Sequence, residues 1–161
     1  MKYVDSKVTF REIPDEITLC INISNCPYRC RGCHSKELWK DVGTELTFSE
    51  LNKLLSKNKG VTCIVFMGGD RNLNRLLELL IYVKIYYPNV KTAWYTGRKD
   101  IPLFNFPMNI LDYIKLGPYI KELGPLDNPN TNQRLYQLDK LDKLFLGYKD
   151  ITYKFWKNGR N

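Results

Sequence analysis

A chain of 161 residues, 43% hydrophobic and 26% charged, suits one globular domain with its core at about 14–150. No apolar run approaches the ~20 residues of a membrane span, and Met1-Lys2-Tyr3-Val4-Asp5 lacks the apolar core of a secretory signal, so a cytoplasmic protein is expected. The net charge of +8, half of it in Thr131–Asn161, comes with no recognition motif and no Tyr or Trp interleaved with lysines, so neither nucleic acid nor membrane is an expected partner.

Ile17 to Ile23 alternates apolar and polar residues, as a strand with one buried face does, and runs straight into a loop dense in cysteine. Thr47-Phe48-Ser49-Glu50-Leu51 opens a helix that reaches about Lys57, with Leu51, Leu54 and Leu55 on one side. Val61 to Met67 is a β-branched run that reads as a buried strand ending at Gly68-Gly69-Asp70. A second helix runs from Asn72 to about Tyr87, with Leu73, Leu76, Leu77 and Leu80 in helical register. Val90 to Tyr95, closed by Thr96-Gly97, and Leu111 to Leu116, closed by Gly117-Pro118, are two further strands.

Strands alternating with helices predict an α/β fold with a mostly parallel sheet built from right-handed βαβ units. A complete eight-fold barrel needs about 200 residues or more, so a shortened, open partial barrel is expected. In such sheets ligands gather beyond the carboxyl ends of the strands. The cysteine loop, Gly68-Gly69-Asp70 and Thr96-Gly97 would therefore meet at one edge.

The loop reads Cys26-Pro27-Tyr28-Arg29-Cys30-Arg31-Gly32-Cys33-His34, a C-x3-C-x2-C spacing. Three thiolates on one short loop can hold three corners of an iron–sulfur cube and leave the fourth iron open to a substrate. The alternative is zinc held by Cys26, Cys30, Cys33 and His34, although structural zinc sites usually pair two separated knuckles. Core packing does not explain these cysteines, because Pro, Tyr, Arg and Gly between them are loop residues. Five cysteines is an odd number, which argues against a disulfide framework, and Cys20 and Cys63 fall inside strands as packed thiols.

The chain resembles the radical S-adenosylmethionine enzymes through Cys26–His34 and Phe66-Met67-Gly68-Gly69-Asp70. Within them it resembles the small activating proteins of anaerobic ribonucleoside-triphosphate reductase. Asp112-Tyr113-Ile114-Lys115-Leu116-Gly117-Pro118-Tyr119 and the stretch from Leu123-Gly124-Pro125-Leu126 to Thr131-Asn132-Gln133-Arg134 agree as well. The resemblance implies that Cys26, Cys30 and Cys33 ligate a 4Fe–4S cluster whose open iron is chelated by S-adenosylmethionine. It further implies that reductive cleavage of that molecule yields a radical which abstracts hydrogen from a glycine in the large subunit of the reductase. An electron donor such as a flavodoxin is the second implied partner.

The resemblance also assigns S-adenosylmethionine contacts to Gly32, Cys33, His34, Gly68, Gly69, Asp70 and Thr96. Gly32 stands where many members carry an aromatic residue over adenine, which leaves backbone near Gly32 and His34 as the adenine contact. His34, the only histidine, is a contact to S-adenosylmethionine, a hydrogen-bonding residue that tunes the cluster, or a surface residue closing the loop. Asp70, where Glu is the more usual acid, offers a carboxylate to the ligand's ammonium, or else caps the helix beginning near Asn72. Thr96 is assigned to the ribose or carboxylate. Lys115, Gln133 and Arg134 either face the side where the substrate glycine enters or form surface salt bridges. The rival expectations are an activase of another glycyl radical enzyme, of the pyruvate formate-lyase type, and a zinc-binding adaptor.

Overall fold

The computed structural model of the chain describes residues 1–102, 106–141 and 144–156. Strands β1 (Lys2–Thr9), β2 (Thr18–Ile23) and β3 (Thr44–Glu45) precede helix α1 (Phe48–Lys57). Strand β4 (Cys63–Met67), helix α2 (Leu73–Tyr86), β5 (Lys91–Tyr95) and β6 (Tyr113–Leu116) follow, and β7 (Arg134–Leu141) and β8 (Leu144–Asp150) end the sheet. The eight strands form one sheet in the order β3-β1-β2-β4-β5-β6-β7-β8.

The expectation of a mostly parallel sheet is corrected. Only β2–β4, β4–β5 and β5–β6 pair in parallel, whereas β1–β3, β1–β2, β6–β7 and β7–β8 are antiparallel. The antiparallel strands β1, β3, β7 and β8 flank the central parallel run on both sides, and a parallel pair needs a crossover that returns the chain to the same end of the sheet. Crossovers join the parallel neighbours: through α1 from β2 to β4, through α2 from β4 to β5, and through residues 96–112, without an α-helix, from β5 to β6. Strand β1 gives little sign of itself in sequence, because only Tyr3 within it is buried and no alternating apolar face exists to be read.

The pleat sorts the central strands onto two faces. Leu19, Ile21, Ile23, Ile64, Phe66, Trp94, Ile114 and Leu116 pack toward Leu51, Leu54 and Leu55 of α1 and Leu76, Leu79, Leu80 and Val83 of α2. Full burial of each such side chain contributes about 1.5–3 kcal/mol. The opposite face carries Cys20, Cys63, Val65, Ala93, Tyr95 and Tyr113 under Ile13, Leu126 and Ile151. Cys20 and Cys63 are thus core thiols, and burial pushes Cys20 up to about 12 and Cys63 up as well.

Both helices open on a polar cap. Thr47 Oγ1 accepts the Glu50 N–H at 3.1 Å, and Asn72 Oδ1 accepts the Arg75 N–H at 3.0 Å. Asn72, and not Asp70, is therefore the cap of α2, which corrects the capping alternative for Asp70. Among the described residues no helix is long and apolar enough to cross a membrane.

The amino ends of the parallel strands are closed by two polar knots. Glu16 receives Lys91 Nζ at 2.5 Å, the Tyr113 hydroxyl at 2.9 Å and the Thr62 hydroxyl at 2.6 Å. Asp112 receives Lys84 Nζ at 2.6 Å, Lys140 Nζ at 2.8 Å and the Thr92 N–H at 2.7 Å. These knots leave the carboxyl edge as the place where loops from several strands meet.

Candidate functional site

The loop after β2 turns sharply three times, with Asn25, Arg29 and Gly32 at φ of 64°, 45° and 80°. Asn tolerates this region and Gly adopts it freely, but Arg29 holds it at a cost of about 1 kcal/mol or more. The folded loop is pinned at its start by the Cys26 N–H on Leu38 O at 2.8 Å and the Asn25 N–H on Lys40 O at 2.9 Å. Inside it the Cys33 N–H donates to Cys30 O at 3.0 Å. Amide groups also reach the sulfurs: the Tyr28 and Arg29 N–H groups donate to Cys26 Sγ, and the Ser35 N–H to Cys33 Sγ at 3.4 Å. Burial nevertheless pushes the Cys26 thiol up, so the free thiol is not spontaneously ionised.

Cys26, Cys30 and Cys33 line one cavity of about 170 Å³ together with Gly68 and Asp70 after β4, Thr96 and Gly97 after β5, and Lys115 in β6. The expected convergence of strand ends is thus present. The pleat explains why Lys115 belongs to it: between Ile114 and Leu116, which face the helices, its side chain must emerge on the other face. It pairs in register with Tyr95 and rests 5.9 Å from that ring, its ammonium donating to Gly117 O at 2.8 Å. Burial lowers Lys115 to about 8, against the opposing pull of Cys30, Asp70, Cys26 and Cys33.

Asp70 is gripped on one oxygen only. Its Oδ1 accepts the Thr96 hydroxyl at 2.5 Å and the Tyr28 hydroxyl at 3.1 Å, and Arg98 Nε stands 3.6 Å away. Its Oδ2 is buried with no hydrogen-bond partner, in a side chain only 3% exposed. Buried carboxylate oxygens are nearly always satisfied, so an orphan on a residue that lines a cavity points to a ligand. Burial raises Asp70 above the usual carboxylate range, and the hydrogen bonds from Thr96 and Tyr28 and the Arg98 charge resist the rise.

Tyr28 was hidden in the motif as loop filler, yet it ties the cysteine loop to the other strand ends. Its ring lies so close over Gly97 that a Cβ there would stand 2.6 Å from two ring carbons. The signal in sequence was the small residue after Thr96, which reads as a turn until its neighbour is known.

Other expected residues lie elsewhere. Gly32 and His34 are not among the cavity-lining residues; Gly32 abuts Lys121, and the His34 ring meets Tyr119 edge-on at 5.6 Å. Gly69 turns away from the cavity to a neighbouring cleft with Met1, Arg71 and Asn72. Gln133 is buried, and Arg134 lies 3.6 Å from Asp150 on a separate cleft with Lys99 and Tyr136.

Among the described residues no three His, Cys, Asp or Glu side chains gather as the ligands of a single metal ion. A cube differs in its demand: it takes one thiolate per corner iron, so its ligands surround a volume. Three thiols around one cavity, with amide donors on Cys26 and Cys33 and the Lys115 cation beside them, fit such an anionic cluster.

Residues 17–125, which span β2, the cysteine loop and every cavity-lining residue, match the 4Fe-4S single cluster domain family. No curated protein and no solved structure matches the chain. The match covers more than half of the sequence, and the chain belongs to the 4Fe-4S single cluster domain family.

Proposed function

We propose that this chain is a radical S-adenosylmethionine activating protein that generates the glycyl radical of anaerobic ribonucleoside-triphosphate reductase. The observation that carries the reading is the orphan Oδ2 of Asp70, a residue that lines the same cavity as the three thiols. The open edge beyond a helix-backed run of parallel strands supports a shortened barrel of the radical S-adenosylmethionine type.

Cys26, Cys30 and Cys33 hold the cluster. Bound there, a 4Fe–4S cluster supplies one-electron reduction of S-adenosylmethionine, which is the source of a radical that takes hydrogen from glycine. Asp70 accepts the ligand's ammonium through Oδ2, while Tyr28, Thr96 and Arg98 keep the carboxylate turned to it. Lys115 complements the negative charge of the thiolates and of the ligand's carboxylate. Gly68 contributes no side chain and so leaves room for the methionyl portion.

Anaerobic reconstitution with iron and sulfide tests the reading. The expected product is a brown protein that cleaves S-adenosylmethionine under dithionite and, mixed with the reductase, yields a glycyl doublet in electron paramagnetic resonance. A colourless protein retaining stoichiometric zinc overturns it. A doublet only with pyruvate formate-lyase reassigns the partner.

A further inference from the structure

The cysteine loop is ringed by positive charge drawn from three separate stretches of chain. Arg29 and Arg31 stand exposed on the loop itself. A 3-10 turn at Lys36–Trp39 is held against the start of the loop by the backbone bonds to Leu38 O and Lys40 O, which brings Lys36 and Lys40 alongside. On the other flank Lys121 packs against Gly32, its Cβ 3.3 Å from where a Cβ of Gly32 would stand. Two carboxylates, Glu37 and Glu122, share this belt with the cations.

Among the described residues none of Arg29, Arg31, Lys36, Lys40 and Lys121 enters an ion pair. Elsewhere Lys84, Lys91, Lys140 and Lys154 each hold a carboxylate, while Lys57, Lys59 and Lys149 are, among the described residues, unpaired like the collar, so what sets the collar apart is its gathering around one loop. Five exposed cations against two carboxylates leave a net positive excess around one loop, and such an excess makes a field that steers a partner of opposite sign.

The proposed function consumes an electron that this chain has to receive from outside, since Cys20 and Cys63 are core thiols and supply no second redox centre. Electron tunnelling decays exponentially with distance, so a donor must approach the cysteine loop. We propose that the collar of Arg29, Arg31, Lys36, Lys40 and Lys121 is the docking surface for an acidic one-electron carrier protein. The assignment rests on the activating-protein reading and adds to it where the donor binds and by what chemistry.

The test is a binding measurement on the cluster-loaded chain, titrated anaerobically with fluorophore-labelled flavodoxin over a range of KCl concentrations. K36E/K40E/K121E leaves the cysteine loop itself untouched. It is expected to raise Kd at least about tenfold at low salt and to flatten the salt dependence. The neutral variant K36Q/K40Q/K121Q is expected to show a smaller loss in the same direction. K57E/K59E/K149E, an equal charge change away from the loop, is expected to leave Kd within about twofold.

An unchanged Kd in the collar variants overturns the proposal, and so does an equal loss in the distal variant, which would make net charge the cause. Single-stranded DNA binding with the same collar dependence and comparable affinity also overturns it in favour of nucleic acid. Cluster absorbance and dithionite-driven cleavage of S-adenosylmethionine are read alongside. Absence of that cleavage from the cluster-loaded wild-type chain, with the collar dependence of Kd intact, sinks the activating-protein reading and leaves the docking surface standing.

Discussion

The Tyr28 hydroxyl donates to Asp70 Oδ1 across 3.1 Å, so the loop that carries the cysteines and the turn after β4 are set by one hydrogen bond. Tyr28→Phe removes that bond and leaves Asp70 to Thr96 and Arg98. Loss of a hydrogen bond to a charged acceptor costs about 1.5–3 kcal/mol, and part of that falls on ligand affinity. The cluster-loaded variant is expected to bind S-adenosylmethionine about tenfold more weakly in calorimetry, with unchanged iron content. Gly97→Ala reaches the same bond from the other side, because the added methyl must displace the Tyr28 ring. Unchanged affinity in both variants refutes the tie.

The five cysteines divide into two classes with opposite expectations. Cys30→Ala is expected to abolish the visible absorption of the reconstituted protein and most of its bound iron. Cys63→Ala, in the core between β2 and β5, is expected to retain both and to lose about 1–2 kcal/mol in chemical denaturation as a small cavity opens. Loss of iron from the Cys63 variant as well would show that the core thiols take part in binding.

Asp112 gives a pH prediction with a definite sign. Burial alone raises its carboxyl, but Lys140, Lys84 and the Thr92 amide outweigh it, so the folded value is lowered. A lowered acid contributes stability in full above the unfolded value of about 3.9 and loses it as pH falls through the folded value. Asp112→Asn is expected to cost about 2 kcal/mol at neutral pH, discounted because the side chain is partly exposed. The gap between wild type and variant should close below about pH 4 in urea denaturation curves. A gap independent of pH would mean that shape, and not charge, is what the knot supplies.

How far the sequence reaches is visible in Asp70 and Lys115. Asp70 was legible because two glycines and a carboxylate follow a β-branched run, and the same strand-end logic located Thr96. Lys115 lies one residue from Ile114, and only the strand's pleat and its pairing with Tyr95 decide that it points into the cavity. The helices were legible in their leucine spacing, with ends fixed by Thr47 and Asn72. The flanking strands were not. β1 has no buried face to betray it, and the return of β7 against β6 depends on pairing between residues far apart in sequence. Contacts of that kind, including Tyr28 over Gly97, leave no local periodicity to read.

Lys115 and Asp70 face the same thiols with opposite charges, and this makes the pair separable by electrochemistry. A cation beside the cluster favours the added electron, and an anion opposes it. Lys115→Met keeps the unbranched apolar stem, one atom shorter, but removes the charge, so the midpoint potential of the cluster is expected to fall. At an effective dielectric constant of ~20 and the distances of a shared cavity, the effect is on the order of 1 kcal/mol, or some tens of millivolts for one electron. Asp70→Asn, nearly isosteric, is expected to move the potential the other way, and Lys115→Arg to restore most of the wild-type value. Redox titrations followed by the paramagnetic signal of the reduced cluster, without S-adenosylmethionine, read all three variants directly. Shifts of the same sign from Lys115→Met and Asp70→Asn would mean that solvent entry, and not the field of these two residues, controls the cluster.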